Sequence, residues 1–425
     1  DLISTDASRV VTFTSQAQDS SSVIIAGYDL TLKNCQYLVF DQLTFASNLY
    51  FDKGMRNVTI QHCHFSNPQN GFVLFKTVNT PTTGSSYSYT NNTFSNNRFV
   101  NTHITWYGAS YFDAGNKFVN NQMTNGYVKV SDQSHFEFSN NYLYDTLSNV
   151  SGTSYHTSFY FLTGPALISN NKIFSKLTSA MAVTIREIQP YTNNVSANPT
   201  IVANNSIKSN GLATLHAKSA NVYFNTLRNG GNLGSSSAAL SYQGPGIFKN
   251  NLIVNEGSGK AATYNLQNTG ITIESDYNVF YGGSTLFTTS GPTQTLSNLN
   301  NWFNYSGNDE HSLVHLPDFA DNTGYAINND WLIDGIGTPL QGYSHDIDNN
   351  LRDAQYPDPG ASEFTATRPP LEAGLITNLT NSNYCPNSQS DVVVTVKNFG
   401  LSIIDSVKVQ WEVNGVPQPT TTWTG

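Results

Sequence analysis

One short phrase recurs through this chain and limits what it can fold into. It runs apolar residue, small residue, two asparagines, one variable residue and another apolar residue. Its clearest copy is Phe138-Ser139-Asn140-Asn141-Tyr142-Leu143. The amide pairs return as Asn96-Asn97, Asn120-Asn121, Asn170-Asn171, Asn204-Asn205 and Asn250-Asn251. Weaker copies put Leu43, Cys63, Asn225 and Asn278 at the second position. Those second positions, 43, 63, 97, 121, 141, 171, 205, 225, 251 and 278, are separated by 20, 34, 24, 20, 30, 34, 20, 26 and 27 residues. Twenty recurs as a floor. The longer intervals hold polar or small-residue insertions at 80–88, 147–157, 190–199 and 230–237. A fixed minimum with loop-like additions marks a solenoid, in which no single coil can bury its own apolar face.

The runs between the amides alternate with period two, as in Val128-Lys129-Val130 and Phe136-Glu137-Phe138. They are too short for helices, so each coil is read as short strands joined by turns. Stacked coils would lie about 4.8 Å apart, the spacing of strands in a sheet. Asparagine suits such a corner because it tolerates the left-handed backbone region. In register, its amide can donate and accept between the residues above and below. The column Asn97, Asn121, Asn141, Asn171, Asn205, Asn225, Asn251 and Asn278 is therefore expected to form a ladder.

On these motifs the chain resembles the right-handed parallel β-helix family over residues 1–364. The fold class expected is all-β, a right-handed parallel β-helix of about ten coils followed by a partial Ig-like β-sandwich. Residues 365–372, with Pro369-Pro370, read as a linker. Residues 373–425 change pattern. Val392-Val393-Val394-Thr395-Val396 and Val407-Lys408-Val409-Gln410-Trp411 read as sandwich strands, with Lys397-Asn398-Phe399-Gly400 as the turn between them. That stretch resembles the Ig-like modules of bacterial surface proteins and is about half of one. Asp346-Ile347-Asp348-Asn349-Asn350-Leu351-Arg352, then Asp358-Pro359-Gly360-Ala361-Ser362-Glu363-Phe364, resembles the closing segment of secreted β-helix proteins of Bacteroidota. That resemblance implies an extracellular or cell-surface location. The stretch before Val10 is too short to cap a solenoid and residues 373–425 are about half a module, so the chain is expected to continue beyond both ends. Ser297 is read as the N-cap of a short helix at 298–303.

Only 12% of residues are charged and the net charge is −9, which argues against a nucleic-acid partner. There is no apolar run of about 20 residues to span a membrane. Three cysteines, Cys35, Cys63 and Cys385, are too few for a disulfide scaffold or a zinc site. Cys35 and Cys63 are read as buried free thiols, with a pair across neighbouring coils as the alternative.

The strands that follow the amide corners carry the residues that could do chemistry. With Val183 and Ile185 inward, Thr184 and Arg186 face out, and the same count puts Lys129, Tyr160 and His216 outside. Arg186, His216, Lys218 and Lys129 are the catalytic candidates of a polysaccharide lyase, which needs a base near a group that neutralises a carboxylate. A hydrolase would need paired carboxylates, and no adjacent Asp-Asp pair exists. No cofactor is called for. Asp346 and Asp348 are the pair that could take Ca2+. Asp309-Glu310-His311 is read as a solvated turn, and His62 and His64 as surface histidines on the face opposite Cys63. Tyr87, Tyr89, Tyr107, Tyr155, Tyr160 and Tyr191 are candidates for stacking on a glycan. The first reading is a non-catalytic surface protein, an adhesin or a filament or stalk segment, with itself and cell-surface or glycan ligands as partners. A lyase acting on an acidic glycan and a glycan-binding module are the alternatives.

Overall fold

A computed structural model describes residues 7–75, 88–107, 113–146, 155–163, 165–176, 181–187, 199–231, 233–266, 273–290, 293–322, 324–378, 394–413 and 415–425. Each coil contributes one strand to each of three faces. The first face is an 11-stranded parallel sheet that opens with Val11–Thr14 and Leu38–Asp41 and ends with Gly246–Lys249 and Ile273–Asp276. The second and third faces belong to one 24-stranded sheet whose pairings run as two columns. Tyr142–Asp145, Lys172–Ser175, Ser206–Ser209, Thr226–Asn229 and Leu252–Asn255 stack in the second face. Val128–Ser134, Tyr155–Thr163, Met181–Glu187, Ala213–Lys218, Ala238–Gln243 and Lys260–Asn265 stack in the third. The fold is a parallel β-helix. Thr157, expected in an insertion, is instead a buried strand residue.

Register follows the side-chain period. Phe94, Phe118, Phe138 and Ile168 lie over one another in the first face, and Phe65, Phe99, Met123 and Leu143 in the second. All are at most 2% exposed. Their rings stack between coils, Phe65 on Phe99 at 4.6 Å and Phe118 on Phe138 at 5.4 Å. Each coil thus buries its apolar residues against the next coil as well as across the core.

The paired asparagines divide the work at the corner. The first takes the left-handed conformation, with φ of 56° at Asn96, 57° at Asn120, 55° at Asn140 and Asn170, and 53° at Asn204. The second turns inward and is buried. Its Oδ1 accepts two hydrogen bonds from the preceding coil's asparagine: Asn171 Oδ1 receives the Asn141 backbone N–H at 3.0 Å and Asn141 Nδ2 at 3.0 Å. Its Nδ2 donates onward to Asn205 Oδ1 at 2.9 Å and back to the Phe138 carbonyl at 2.9 Å. The same pattern runs without a break from Asn97 through Asn121, Asn141, Asn171, Asn205, Asn225 and Asn251 to Asn278.

Cys63 begins this column. Its N–H donates to Asn97 Oδ1 at 2.9 Å, and its Sγ contacts the Phe40 carbonyl at 3.6 Å, as an asparagine Nδ2 would. Cys35 and Cys63 are both free thiols. Burial pushes them up, to about 12 and about 11. The expectation that His62 and His64 share a face fails, because His62 is itself the left-handed corner (φ 50°) and breaks the strand alternation. It pairs with Asp41 at 2.9 Å.

A second, shorter ladder lies at another corner. Asn92 Nδ2 donates to Asn116 Oδ1 at 3.0 Å, and Asn116 Nδ2 to Gln133 Oε1 at 2.6 Å. The turns between the second and third faces stack through glycine. A Cβ on Gly257 would lie 2.4 Å from the Gly231 carbonyl oxygen, so only hydrogen fits there.

The two asparagines of one pair should respond differently to mutation. Asn171→Ala leaves the Asn141 N–H without its acceptor and the Phe138 carbonyl without its side-chain donor, and should cost about 3 kcal/mol of unfolding free energy. Asn140→Gly keeps the left-handed corner and should change it by less than about 1 kcal/mol. Urea denaturation of both variants checks the contrast; equal losses would remove the division of roles.

Candidate functional site

The third face carries the lyase candidates, and the pairing fixes their neighbours. Lys129, Ser158, Thr184, His216, Ser241, Thr263 and Thr288 occupy one column across successive coils. Arg186, Lys218, Gln243 and Asn265 occupy the column two residues on. Arg186 and Lys218 are therefore adjacent rungs, with His216 beside them. Lys129 lies three rungs from His216, roughly 14 Å away at sheet spacing. The side chains of Tyr160 and Arg186 fall outside the described residues. Of the tyrosines proposed for stacking, the same holds for Tyr87, Tyr107, Tyr155 and Tyr191. Tyr89 is fully buried and bonds the Phe51 carbonyl, so it has no ligand-facing role.

The environments of these groups are plain. His216 Nδ1 lies 3.0 Å from Ser241 Oγ. Lys129 folds over the Tyr127 ring at 4.6 Å, and that ring stacks on His103 at 4.0 Å. Burial, then the Lys129 charge, pushes His103 down to about 4. Burial also lowers Lys129. The register thus gathers three of the four candidates and puts Lys129 in a separate aromatic cluster. The described rungs beyond His216 and Lys218 hold Ser241, Thr263, Gln243 and Asn265, which are neutral.

The largest departure from sequence reading lies after the last coil. Helix Leu299–Ser306 is capped by Asn298, whose Oδ1 accepts the Asn301 N–H at 2.8 Å; Ser297 is not the cap. Trp302 from this helix stacks on Tyr264 at 4.8 Å in the core. Asp309 is not a solvated turn residue. It is 2% exposed and terminates the asparagine column. Asp309 Oδ1 accepts from Asn278 Nδ2 at 3.1 Å, Ser312 Oγ at 2.7 Å and Ser275 Oγ at 2.9 Å, while Oδ2 accepts from Trp302 Nε1 at 2.7 Å. Burial raises its pKa despite these donors.

From there the chain returns along the outer side of the second face. Asn250 bonds Thr338 through both ends of its amide, at 2.7 and 2.9 Å. Asn204 Nδ2 donates to the His345 carbonyl at 3.0 Å. Phe224 replaces the first asparagine of its pair, and its ring lies under the Arg352 guanidinium at 4.1 Å. Lys172 Nζ reaches Asp348 at 2.6 Å. The outer residues of the covered strands are buried as a result, including Ser206, Lys208, Thr226, Arg228, Leu252 and Val254. The corner asparagines thus hold the returning segment, and the ladder asparagines hold the coils.

Asp346 and Asp348 do not form a calcium pair. Asp346 accepts the N–H groups of Asp348, Asn350 and Glu363 and the Asn350 side chain, which occupies both oxygens. Asp348 serves Lys172 and Tyr325. No group of three or more His, Cys, Asp or Glu stands close enough to hold a metal among the described residues. The buried Arg352 joins Glu363 at 3.2 Å and the Gly360 carbonyl at 2.8 Å. Asp358 accepts the N–H groups of Gly335 at 2.6 Å and Phe364 at 2.7 Å.

The fold and its surfaces define a parallel β-helix with a back-folded C-terminal segment. No protein-family description matches the chain, and no curated protein matches it in sequence. Among solved structures it is similar to "The complex structure of XylC with xylose", at 8% identity and a TM-score of 0.32. The match covers 79% of this chain and 65% of that one, less than two thirds of its length. A likeness at that score carries no argument about function. No described helix is long and apolar enough to cross a membrane.

The returning segment should be pH-sensitive. Burial, with Glu363 adding to it, pushes Asp358 up to about 8 from 3.8. The folded state therefore holds an extra proton between those values, and its stabilising contribution is lost progressively as pH rises from about 4 to about 8. Amide exchange at Gly335 and Phe364, measured against ladder amides, should accelerate between pH 5 and pH 8. Asp358→Asn should remove that dependence; an unchanged profile in the variant would assign it to another group.

Proposed function

We propose that this chain is a non-catalytic extracellular rod, an adhesin or a stalk or filament segment that presents its outer faces to other cells or surfaces. The observation that supports it is the axial column from Cys63 to Asp309. Between those ends each coil is bonded to the next through buried amides as well as through its strands, so bending must break hydrogen bonds away from water. Eleven strands in the first face make a rod of roughly 48 Å at about 4.8 Å per step. The polar columns of the third face suit lateral contact with another copy or with a glycan. The described residues of 373–425 form two-stranded antiparallel ladders, such as Ala373–Asn378 with Val394–Asn398 and Ser406–Val409 with Thr421–Thr424. We read them as part of an Ig-like module following a β-helix over 1–364 and a linker at 365–372, as in surface proteins of Bacteroidota type.

A polysaccharide lyase using Arg186, His216 and Lys218 is the competing reading. Electron microscopy of the native full-length protein should show elongated particles or fibres on cells. Incubation with alginate, pectin and glycosaminoglycans should release no unsaturated uronate. A compact soluble particle, with uronate release abolished by Arg186→Ala, would establish the lyase instead.

A further inference from the structure

A cleft of about 510 Å3 opens where the last coil, the returning segment and strand Val394–Asn398 meet. It lies away from the third face, at the end of the asparagine column. One wall is built on a corner. Tyr277 occupies the left-handed position of the last coil (φ 58°), and its ring stacks on His311 at 4.8 Å with the planes 6° apart. Asp276 holds both. Its Oδ1 accepts the Tyr277 and His311 N–H groups at 2.9 and 2.7 Å, and its Oδ2 lies 2.8 Å from His311 Nδ1. Tyr356 contributes a second ring and is 64% exposed. The opposite wall is tied to the returning segment: Phe399 stands 5.4 Å from Trp331, edge to face, and its N–H donates to the Glu372 carbonyl at 2.9 Å.

Two charged side chains of the cleft, Lys397 and Glu310, form no ion pair among the described residues. Lys397 Nζ lies 5.3 Å from the centre of the Phe399 ring and makes no ion pair among the described residues. Burial, with Arg368 nearby, lowers its pKa from the usual lysine value, against the opposing pull of the Asp334 carboxylate. Glu310 also lines the cleft, and no described residue bonds its carboxylate.

We propose that this cleft binds a carboxylate-bearing sugar, a uronate residue at or near the end of a glycan. An aromatic wall takes the apolar C–H face of a pyranose, Lys397 takes the carboxylate, and Glu310 accepts hydroxyls. A sugar ring carrying one negative charge satisfies the aromatic wall, Lys397 and Glu310 together. The volume suits one or two sugar units. The corner and Asp276 set the aromatic wall before any ligand arrives, which limits the ordering cost of binding. The inference gives the attachment reading a ligand, yet it stands or falls separately, since a rod can lack this site.

The test is calorimetric titration of the whole chain with uronate di- and trisaccharides and with their neutral counterparts. At least one uronate should bind saturably, and its neutral counterpart at least about tenfold more weakly. Lys397→Gln and Tyr356→Ala should each weaken uronate binding about tenfold, while Tyr28→Ala, an exposed ring outside the cleft, should not. Circular dichroism confirms that each variant is folded. The proposal is overturned if no uronate binds, if neutral sugars or acetate bind as well, or if both cleft variants keep full affinity. Elongated particles in the microscope alongside any of those results would leave the rod reading intact and remove only the cleft.

Discussion

The structure depends on what one inward amide can do in a place without water. A ladder asparagine accepts twice through its oxygen and donates twice through its nitrogen, as Asn171 does with Asn141, Asn205 and the Phe138 carbonyl. It fills the hydrogen-bonding capacity of a buried polar group, so the group stabilises the stack and leaves nothing unsatisfied. It also relieves a backbone problem. A sharp corner turns one N–H of each coil away from the strand pairing, and the next coil's Oδ1 meets it. A column of identical residues is needed because each member completes its neighbour.

A periodic column needs different chemistry at its two ends. Cys63 opens it with a thiol against the Phe40 carbonyl. Asp309 closes it with a carboxylate that only accepts, facing donors from Asn278, Ser275, Ser312 and Trp302. The change from amide to carboxylate is what a terminus requires, because no further oxygen follows to take another donor. The helix carrying Trp302 is tied to that cap, and the returning segment beyond it lies across strands whose outer residues would otherwise be in solvent.

The repeat made the fold legible. Doubled asparagines with apolar partners at fixed offsets named the corner, the inward face and the register, and Val183 is buried as the alternation required. The second ladder at Asn92 and Asn116 was less visible because it is short and its third member, Gln133, is neither an asparagine nor at the same offset from the repeat. The roles of Asn204, Asn250 and Phe224 as holds for the returning segment could not be seen either. Their partners Arg352, His345 and Thr338 lie about a hundred residues away, and nothing local marks the pairing. Among the lyase candidates, alternation put Lys129 and His216 in one column, but only the coil count separated them by three rungs.

The sequence by itself determined a stacked β-helix, its corner residues and the order of its buried columns, because those follow from a period of two along strands and a repeat between coils. Only the tertiary structure decided which surfaces stay open. The segment after the last coil has no repeat to predict its path; it follows the second face because that is where unpaired corner amides and outward apolar side chains could be met. The same folding back brings Tyr277, Tyr356 and Lys397 around one cleft, from three stretches of chain that share no motif.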